Sequence, residues 1–271
     1  MIKTRIYILT YNSAVRINAC LDHLISSDID DECEIFIINN HSNVTIEEKF
    51  KDKVKLLHNV LQPDFSTGHM SRNWNQAIVN GFENLNSPAC DIVVTMQDDT
   101  IVHDNWYSEL KKAHFKKGYS FVQSGHGDSV CSYLPTAVKK VGLWDERFTM
   151  GFQAADYFYR QLMFNWDDCT INDPLHRRIH NPCDLNIVKH YRVAEHSSDE
   201  NFINSEFRWI DSDIDLSIGS ELLKSKYDSD IWPWTDEIKE KAKTVSFQVK
   251  NYIFYSYFEK DVDFTNKNYL A

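Results

Sequence analysis

Three short apolar runs, each closed by a cluster of polar residues, constrain this chain more than any other feature. Ile6-Tyr7-Ile8-Leu9 is closed by Thr10-Tyr11-Asn12-Ser13, Glu34-Ile35-Phe36-Ile37-Ile38 by Asn39-Asn40-His41-Ser42, and Ile92-Val93-Val94-Thr95-Met96 by Gln97-Asp98-Asp99-Thr100. The runs are too short for buried helices and lack polar alternation, so they read as strands covered on both faces. Between the first two lies a helical stripe of Ile17, Cys20, Leu21, Leu24 and Ile25 at spacings of three and four. Val54 to Leu57 is a further candidate strand, and Trp74, Ala77, Ile78 and Phe82 mark a second helix. Strands alternating with amphipathic helices imply an α/β fold whose mostly parallel sheet carries helices on both sides.

The polar closures indicate where a ligand belongs. In open α/β sheets ligands gather beyond the carboxyl ends of the strands, and neighbouring carboxylates there suit a hard divalent cation held against phosphate oxygens. Asp98 and Asp99 have that placement, which points to diphosphate chemistry. An acidic turn is also ordinary turn chemistry, and Asp104 is placed to cap the following helix. Thr10 to Arg16 contains no glycine that lets backbone amides cradle a triphosphate, which argues against a nucleotidyltransferase. A haloacid-type phosphatase needs an aspartate nucleophile where this chain has Gln97.

With 271 residues and 42% hydrophobic content, the chain can bury one sizeable core. Its 29 Lys plus Arg against 40 Asp plus Glu give a net charge of −11, which disfavours a nucleic-acid surface. Lys111-Lys112 with Lys116-Lys117 reads as a solvated helix face, while His176-Arg177-Arg178 suits an acceptor phosphate or an anionic lipid surface. The six cysteines form no Cys-x-x-Cys pair and are expected to be reduced and packed. With no signal-type start and no run of about 18 apolar residues, a cytoplasmic protein is expected, peripheral membrane contact remaining open. Late in the chain, Asp199 to Asp215 is acidic, and Pro233-Trp234-Thr235-Asp236 reads as a helix start leading into an aromatic tail. That tail is expected to pack back on the domain, with a homodimer contact or a membrane surface as the other roles.

The order strand-Thr-Tyr-Asn, strand-Asn-Asn-His-Ser, Gly68 with Arg72-Asn73, Gln97-Asp98-Asp99-Thr100, and Val141-Gly142-Leu143-Trp144-Asp145-Glu146 resembles a family 2-type glycosyltransferase of the GT-A fold. The resemblance covers most of the chain. It implies a GT-A-like, Rossmann-like domain over 1–235 and a C-terminal helical and aromatic extension over 236–271. It further implies an inverting, metal-dependent transfer from a nucleotide-diphosphate sugar to a glycan or polysaccharide acceptor, with UDP the expected nucleotide and Mn2+ or Mg2+ the cofactor.

The site residues follow from the same resemblance. Thr10, Tyr11 and Asn12 meet the nucleobase, Asn39 and Ser42 close its other side, Arg72 reaches ribose or phosphate, and Gln97 and Asp98 contact the donor. Asp99 matches the metal ligand, and His190 or His196 completes the metal shell, His180 being a further late histidine. Asp156 is the candidate base, in the segment Phe148 to Arg160, placed ahead of aromatic residues that begin a helix it could also cap. Trp144, Asp145 and Glu146 support the acceptor side, and Leu222 to Tyr227 echoes the family's closing motif. Three departures stand out: Asn39 where the family has aspartate, Gln97 at the first carboxylate of the Asp-x-Asp signature, and Gln153-Ala154 in place of a Glu-Asp pair. They leave open an alternative, a catalytically impaired module that binds a nucleotide or a partner.

Overall fold

A computed structural model describes residues 1–11, 14–40, 44–59, 69–124, 128–148, 152–164, 188–190 and 216–227. Its strands are β1 (Thr4–Thr10), β2 (Cys33–Asn39), β3 (Val54–His58), β4 (Ile92–Gln97), β5 (Thr100–Val102), β6 (Phe121–Ser124), β7 (Val130–Tyr133) and β8 (Val188–His190). The helices are α1 (Ala14–Ser26), α2 (Glu48–Lys51), α3 (His69–Phe82), α4 (Trp106–Phe115), α5 (Pro135–Val141), α6 (Phe152–Phe164) and α7 (Leu216–Tyr227). The apolar runs are thus strands and the helical stripes are α1 and α3. The tail over 236–271 lies outside the described residues.

Six strands form one sheet in the order β3-β2-β1-β4-β7-β6, and β5 pairs with β8 in a separate two-stranded ribbon. β1 runs parallel to both β2 and β4, and β2 is parallel to β3. β7 is antiparallel to β4 and to β6, giving the mostly parallel, helix-flanked sheet expected of a GT-A-like fold. The chain steps from β1 outward to β2 and β3, then returns to place β4 on the other side of β1. That reversal opens a crevice beyond the carboxyl ends of β1 and β4, where Thr10 and Gln97 stand.

Strand alternation sorts the core onto two faces. Ile6, Ile8, Ile92, Val94 and Met96 pack with Ile17, Leu21 and Leu24 of α1 and Trp106 and Leu110 of α4. Tyr7, Leu9 and Val93 pack with Trp74 and Ile78 of α3, Val138 of α5 and Tyr157 and Phe158 of α6. α3 lies so close to β4 that a Cβ on Gly81 would come 2.3 Å from Val93 Cγ2, which is why that position carries no side chain. At the start of α4, Asp28 rather than Asp104 supplies the capping carboxylate, accepting from the backbone N–H groups of Tyr107 and Ser108 at 2.9 and 2.8 Å.

His114 ties α4 to the sheet. Its Nδ1 lies 2.6 Å from the Tyr119 carbonyl and its Nε2 2.7 Å from Ser132 Oγ. The carbonyl can only accept, so Nδ1 carries the proton and Nε2 accepts from the serine hydroxyl. Burial pulls this imidazole down to about 4 from its ordinary value of 6.5, the Tyr119 hydrogen bond opposing. Below the unfolded pKa the unfolded chain takes up a proton that the folded protein refuses, so stability is lost as pH falls from about 6.5 towards 4. Urea unfolding at pH 7.5 and pH 5 is expected to show the native protein losing about 2 kcal/mol more than His114→Gln over that interval. An equal loss in both proteins would assign the pH dependence to other groups.

Candidate functional site

The crevice between β1 and β4 is closed at its base by one hydrogen bond. Thr10 Oγ1 donates to Asp98 Oδ2 at 2.7 Å, and the Asp98 N–H continues the ladder to the Leu9 carbonyl at 3.1 Å. The Tyr11 N–H also turns to the Asp98 carboxylate, and Arg16 Nε of α1 stands 3.4 Å from its Oδ1. Burial pushes the Asp98 carboxyl up to about 6; Arg16 opposes this and the neighbouring Asp99 adds to it. Thr10, Tyr11, Asp98 and Asp99 are therefore brought together. Asp99, half-buried, leads directly into β5, and the β5–β8 register sets His190 opposite Thr100, one residue beyond Asp99. Only the backbone of His190 is described, and Asn12, Ser42, His180 and His196 lie outside the described residues.

Gln97 turns to the other face. Its Nε2 donates to Asp128 Oδ1 at 3.0 Å, and Trp74 Nε1 of α3 donates to Asp128 Oδ2 at 3.0 Å. Across β1, at the end of β2, Asn39 is fully buried with its Nδ2 3.2 Å from His58 Nδ1. Asn59 Nδ2 donates to Asn40 Oδ1, Asn73 Oδ1 and Gln76 Oε1 at 2.8, 2.9 and 3.1 Å, a cluster of amides tying β2 and β3 to α3. Arg72, half-exposed in the first turn of α3, meets Glu146 at 3.6 Å. Glu146 accepts from Asn75 Nδ2 at 2.8 Å, and Asn75 also accepts from the Trp144 N–H at 2.8 Å. Arg72 and the segment from Trp144 to Glu146 are thus both tied to α3.

Trp144, Asp145 and Glu146, expected from the sequence on the acceptor side, differ in access. Trp144 is 1% exposed, stacked on Tyr157 at 4.2 Å between ring centres. Asp145 is buried against Arg147 and Lys226, whose nitrogens lie 2.6 and 2.8 Å from its Oδ2. Burial acts to raise the Asp145 carboxyl, yet these two cations outweigh it and hold it well below the usual carboxylate range. Only Glu146 keeps substantial side-chain exposure, 33%.

Asp156 is fully buried. Arg160 Nε and Nη2 approach its Oδ2 at 2.9 and 2.8 Å, while Lys226 Nζ and Tyr227 Oη meet its Oδ1 at 2.6 and 2.5 Å. α6 begins at Phe152, so Asp156 stands in its second turn and cannot be the N-cap suggested by the aromatic residues after it; Gln153, Ala154 and Ala155 extend the helix backwards. α7 reaches this cluster by passing Gly219 over α6, where a Cβ would meet the Phe152 ring at 2.2 Å. Burial pulls the Lys226 ammonium below its ordinary value, with Asp156 and Asp145 opposing.

Asp128, Arg16, His58 and Lys226 are members of the site that reading the sequence did not single out. Asp128 follows His126-Gly127 and looks like a turn residue, and Arg16 sits on a helix whose apolar stripe drew the attention. Lys226 lay within the closing-motif echo and carried a signal that went unused. Among the described residues, no group of three or more His, Cys, Asp or Glu comes together to hold a metal ion. No helix among them is long and apolar enough to cross a membrane.

A family model described as glycosyl transferase family 2 matches residues 5–172. No curated protein matches the chain in sequence. Among solved structures it is similar to the mannosyltransferase PcManGT from Pyrobaculum calidifontis in complex with GDP-Man and Mn2+, at 14% identity and TM-score 0.42 over 58% of this chain and 52% of that one. The chain thus spans about half of that enzyme's length. It is also similar to S. aureus TarS 1-349 in complex with UDP, at 12% identity and TM-score 0.49 over 84% and 72% of the two chains. A third is glucosyl-3-phosphoglycerate synthase from Mycobacterium tuberculosis with Mn2+, UDP and glucosyl-3-phosphoglycerate, at 13% identity and TM-score 0.42 over 70% and 72%.

The ion cluster around Asp156 makes a stability ranking. Asp156→Asn leaves Arg160 buried beside a neutral amide, while Lys226 keeps Asp145, and a buried charge stripped of its partner costs about 3–5 kcal/mol. Lys226→Met leaves each carboxylate with an arginine, so its loss in urea unfolding is expected to be less than half as large. The reverse order would show that Lys226, not Asp156, is the pivot.

Proposed function

The chain belongs to glycosyl transferase family 2, and from that premise we propose that it transfers a sugar, with inversion, from a nucleotide-diphosphate donor to a hydroxyl of a glycan acceptor. The observation that carries this reading is the Thr10–Asp98 bond at the base of the β1–β4 crevice, with Asp99 beside it at the head of β5. A diphosphate placed there meets two carboxylates able to share a cation, while the first turn of α3 directs Arg72 and its helix dipole towards anionic oxygens. UDP is the proposed nucleotide, and a surface glycan or polysaccharide the proposed product.

Hard oxygen donors at a strand exit fit Mn2+ or Mg2+, which keep waters and take substrate phosphates as further ligands. We assign Asp99 as the main protein ligand, with Asp98 as a second contact and His190 or His196 as the imidazole candidates. When bound, the cation supplies neutralisation of charge on the leaving diphosphate. The chain's own part is to hold the donor by Thr10, Tyr11, Asn12, Asn39, Ser42, Arg72 and Gln97, and to take the proton of the attacking hydroxyl.

Two carboxylates compete for that proton. Asp156 is the one nominated by the motif, and it must release Arg160 or Lys226 to act. Glu146 has exposed surface beside Arg72, which supports it as the base and Asp156 as the anchor of the buried cluster. Glu146→Gln is therefore expected to lower turnover by about 10²–10⁴-fold with donor affinity spared, measured per folded molecule. If Asp156→Asn instead gives the larger loss per folded molecule, the base is Asp156.

The donor reading is tested by thermal shift and nucleotide release over a panel of UDP-, GDP- and dTDP-sugars with manganese. A bound donor at ~100 times its dissociation constant stabilises the fold by about 2.7 kcal/mol. Asp99→Ala is expected to abolish the manganese-dependent part of that stabilisation while the ligand-free protein unfolds as before. Full manganese-dependent binding by Asp99→Ala would remove Asp99 from the metal site, and turnover with the metal chelated would remove the metal from the reaction.

A further inference from the structure

Two acids of the family pattern are amides in this chain, Asn39 and Gln97, and each is held through its NH2 group by a neighbour able to accept. For Gln97 the chemistry fixes which edge of the amide faces its partner. A carboxylate only accepts hydrogen bonds, so the edge of the Gln97 amide that faces Asp128 Oδ1 at 3.0 Å has to be Nε2, and Oε1 is turned away from it. Asp128 is itself fixed, because its second oxygen takes the Trp74 indole N–H at 3.0 Å and the residue is 8% exposed. The Gln97 N–H adds a third constraint by donating to the Ser129 carbonyl at 2.9 Å.

We propose that Asp128 is a positioning residue for the donor site: it locks the Gln97 amide in the one orientation that presents Oε1, an uncharged acceptor, where the family pattern presents a carboxylate. The statement rests on the reading of the strand exit as a nucleotide-sugar site. It makes the pair a charge exchange across β4 and β7. The acid missing at position 97 stands at position 128, and the pair carries one negative charge. A glutamate at position 97 alone would set two carboxylates about 3 Å apart, an arrangement in which both cannot stay ionised. An asparagine at position 128 alone keeps its oxygen for the Trp74 N–H and offers its NH2 to Gln97. The Gln97 amide then flips, and the donor site gains an N–H donor where it had an acceptor.

These alternatives define the test. Gln97→Glu, Asp128→Asn and the double variant are compared with the native protein by calorimetric titration with UDP, and with GDP, in the presence of manganese, and by urea unfolding. Each single variant is expected to bind the preferred nucleotide at least about tenfold more weakly, the size of one charge-assisted hydrogen bond lost or reversed. In the double variant the new asparagine oxygen serves Trp74 and its NH2 serves the new glutamate, so affinity is expected to return to within about threefold of native. Losses that multiply in the double variant, or an Asp128→Asn protein that binds as the native one does, would overturn the proposal. Should the native protein bind neither nucleotide, the nucleotide-sugar reading itself falls. The unfolding cycle still judges the pair in that case: non-additive shifts of the urea midpoint support the lock, and additive shifts refute it.

Discussion

The parallel pairing of β1 with both β2 and β4 is the constraint from which the rest of the site follows. It forces the chain to reverse its direction of growth across the sheet and leaves a crevice that neither α1 nor α3 can fill. Side chains that end β1 and β4 must then be polar, since they face that crevice. Alternation divides them: Asp98 joins Thr10 and Arg16 on the α1 side, and Gln97 joins Trp74 and Asp128 on the α3 side. The last residue of β4 and the one that follows it thereby acquire different partners and different electrostatics. Asp98 carries a carboxyl made less acidic by burial, and Gln97 is a neutral amide beside a carboxylate.

A second polar centre stabilises the far wall. Asp145 and Asp156 are buried with Arg160 and Lys226, while the partly exposed Arg147 reaches Asp145 from the surface; the lysine belongs to α7, far along the chain from α6. Burial of so many charges is tolerable only because each carboxylate has more than one cationic or hydroxyl donor. The cluster fixes α6 and α7 to one another, and through Trp144 and Asn75 it connects with α3. α3 in turn carries Arg72 and Trp74. The wall that carries Gln97 and the wall that carries Glu146 are thus joined by a single helix.

Much of this architecture was legible in the sequence, for a physical reason. A run such as Ile92 to Met96 satisfies only a strand buried on both faces, and the stripe from Ile17 to Ile25 satisfies only a helix on a core. The closures of those runs located Thr10, Asn39, Gln97 and Asp98 at strand ends without further information. What stayed hidden depended on contacts between distant segments. Asp128 becomes part of the site only through the antiparallel pairing of β7 with β4, and His190 is set opposite Thr100, the residue after Asp99, only by the register of β8 on β5. The start of α6 was misplaced because aromatic residues at 157–159 outweighed the helix-forming Gln153, Ala154 and Ala155 before them. The burial of Asp156 follows from α7, whose Lys226 lies within the closing-motif echo but meets Asp156 only through tertiary packing.

The central claim is that a nucleoside diphosphate and a divalent cation meet at the β1–β4 crevice. The most direct measurement is paramagnetic broadening of backbone amide resonances by substoichiometric Mn2+ in the presence of UDP. The account expects broadening centred on Gln97, Asp98 and Asp99, extending to Thr10 and Tyr11 and to Asp128 and Ser129, with the C-terminal turn of α4 unaffected. Broadening centred elsewhere while UDP is bound, or UDP binding that leaves residues 97–99 undisturbed by the metal, would contradict it.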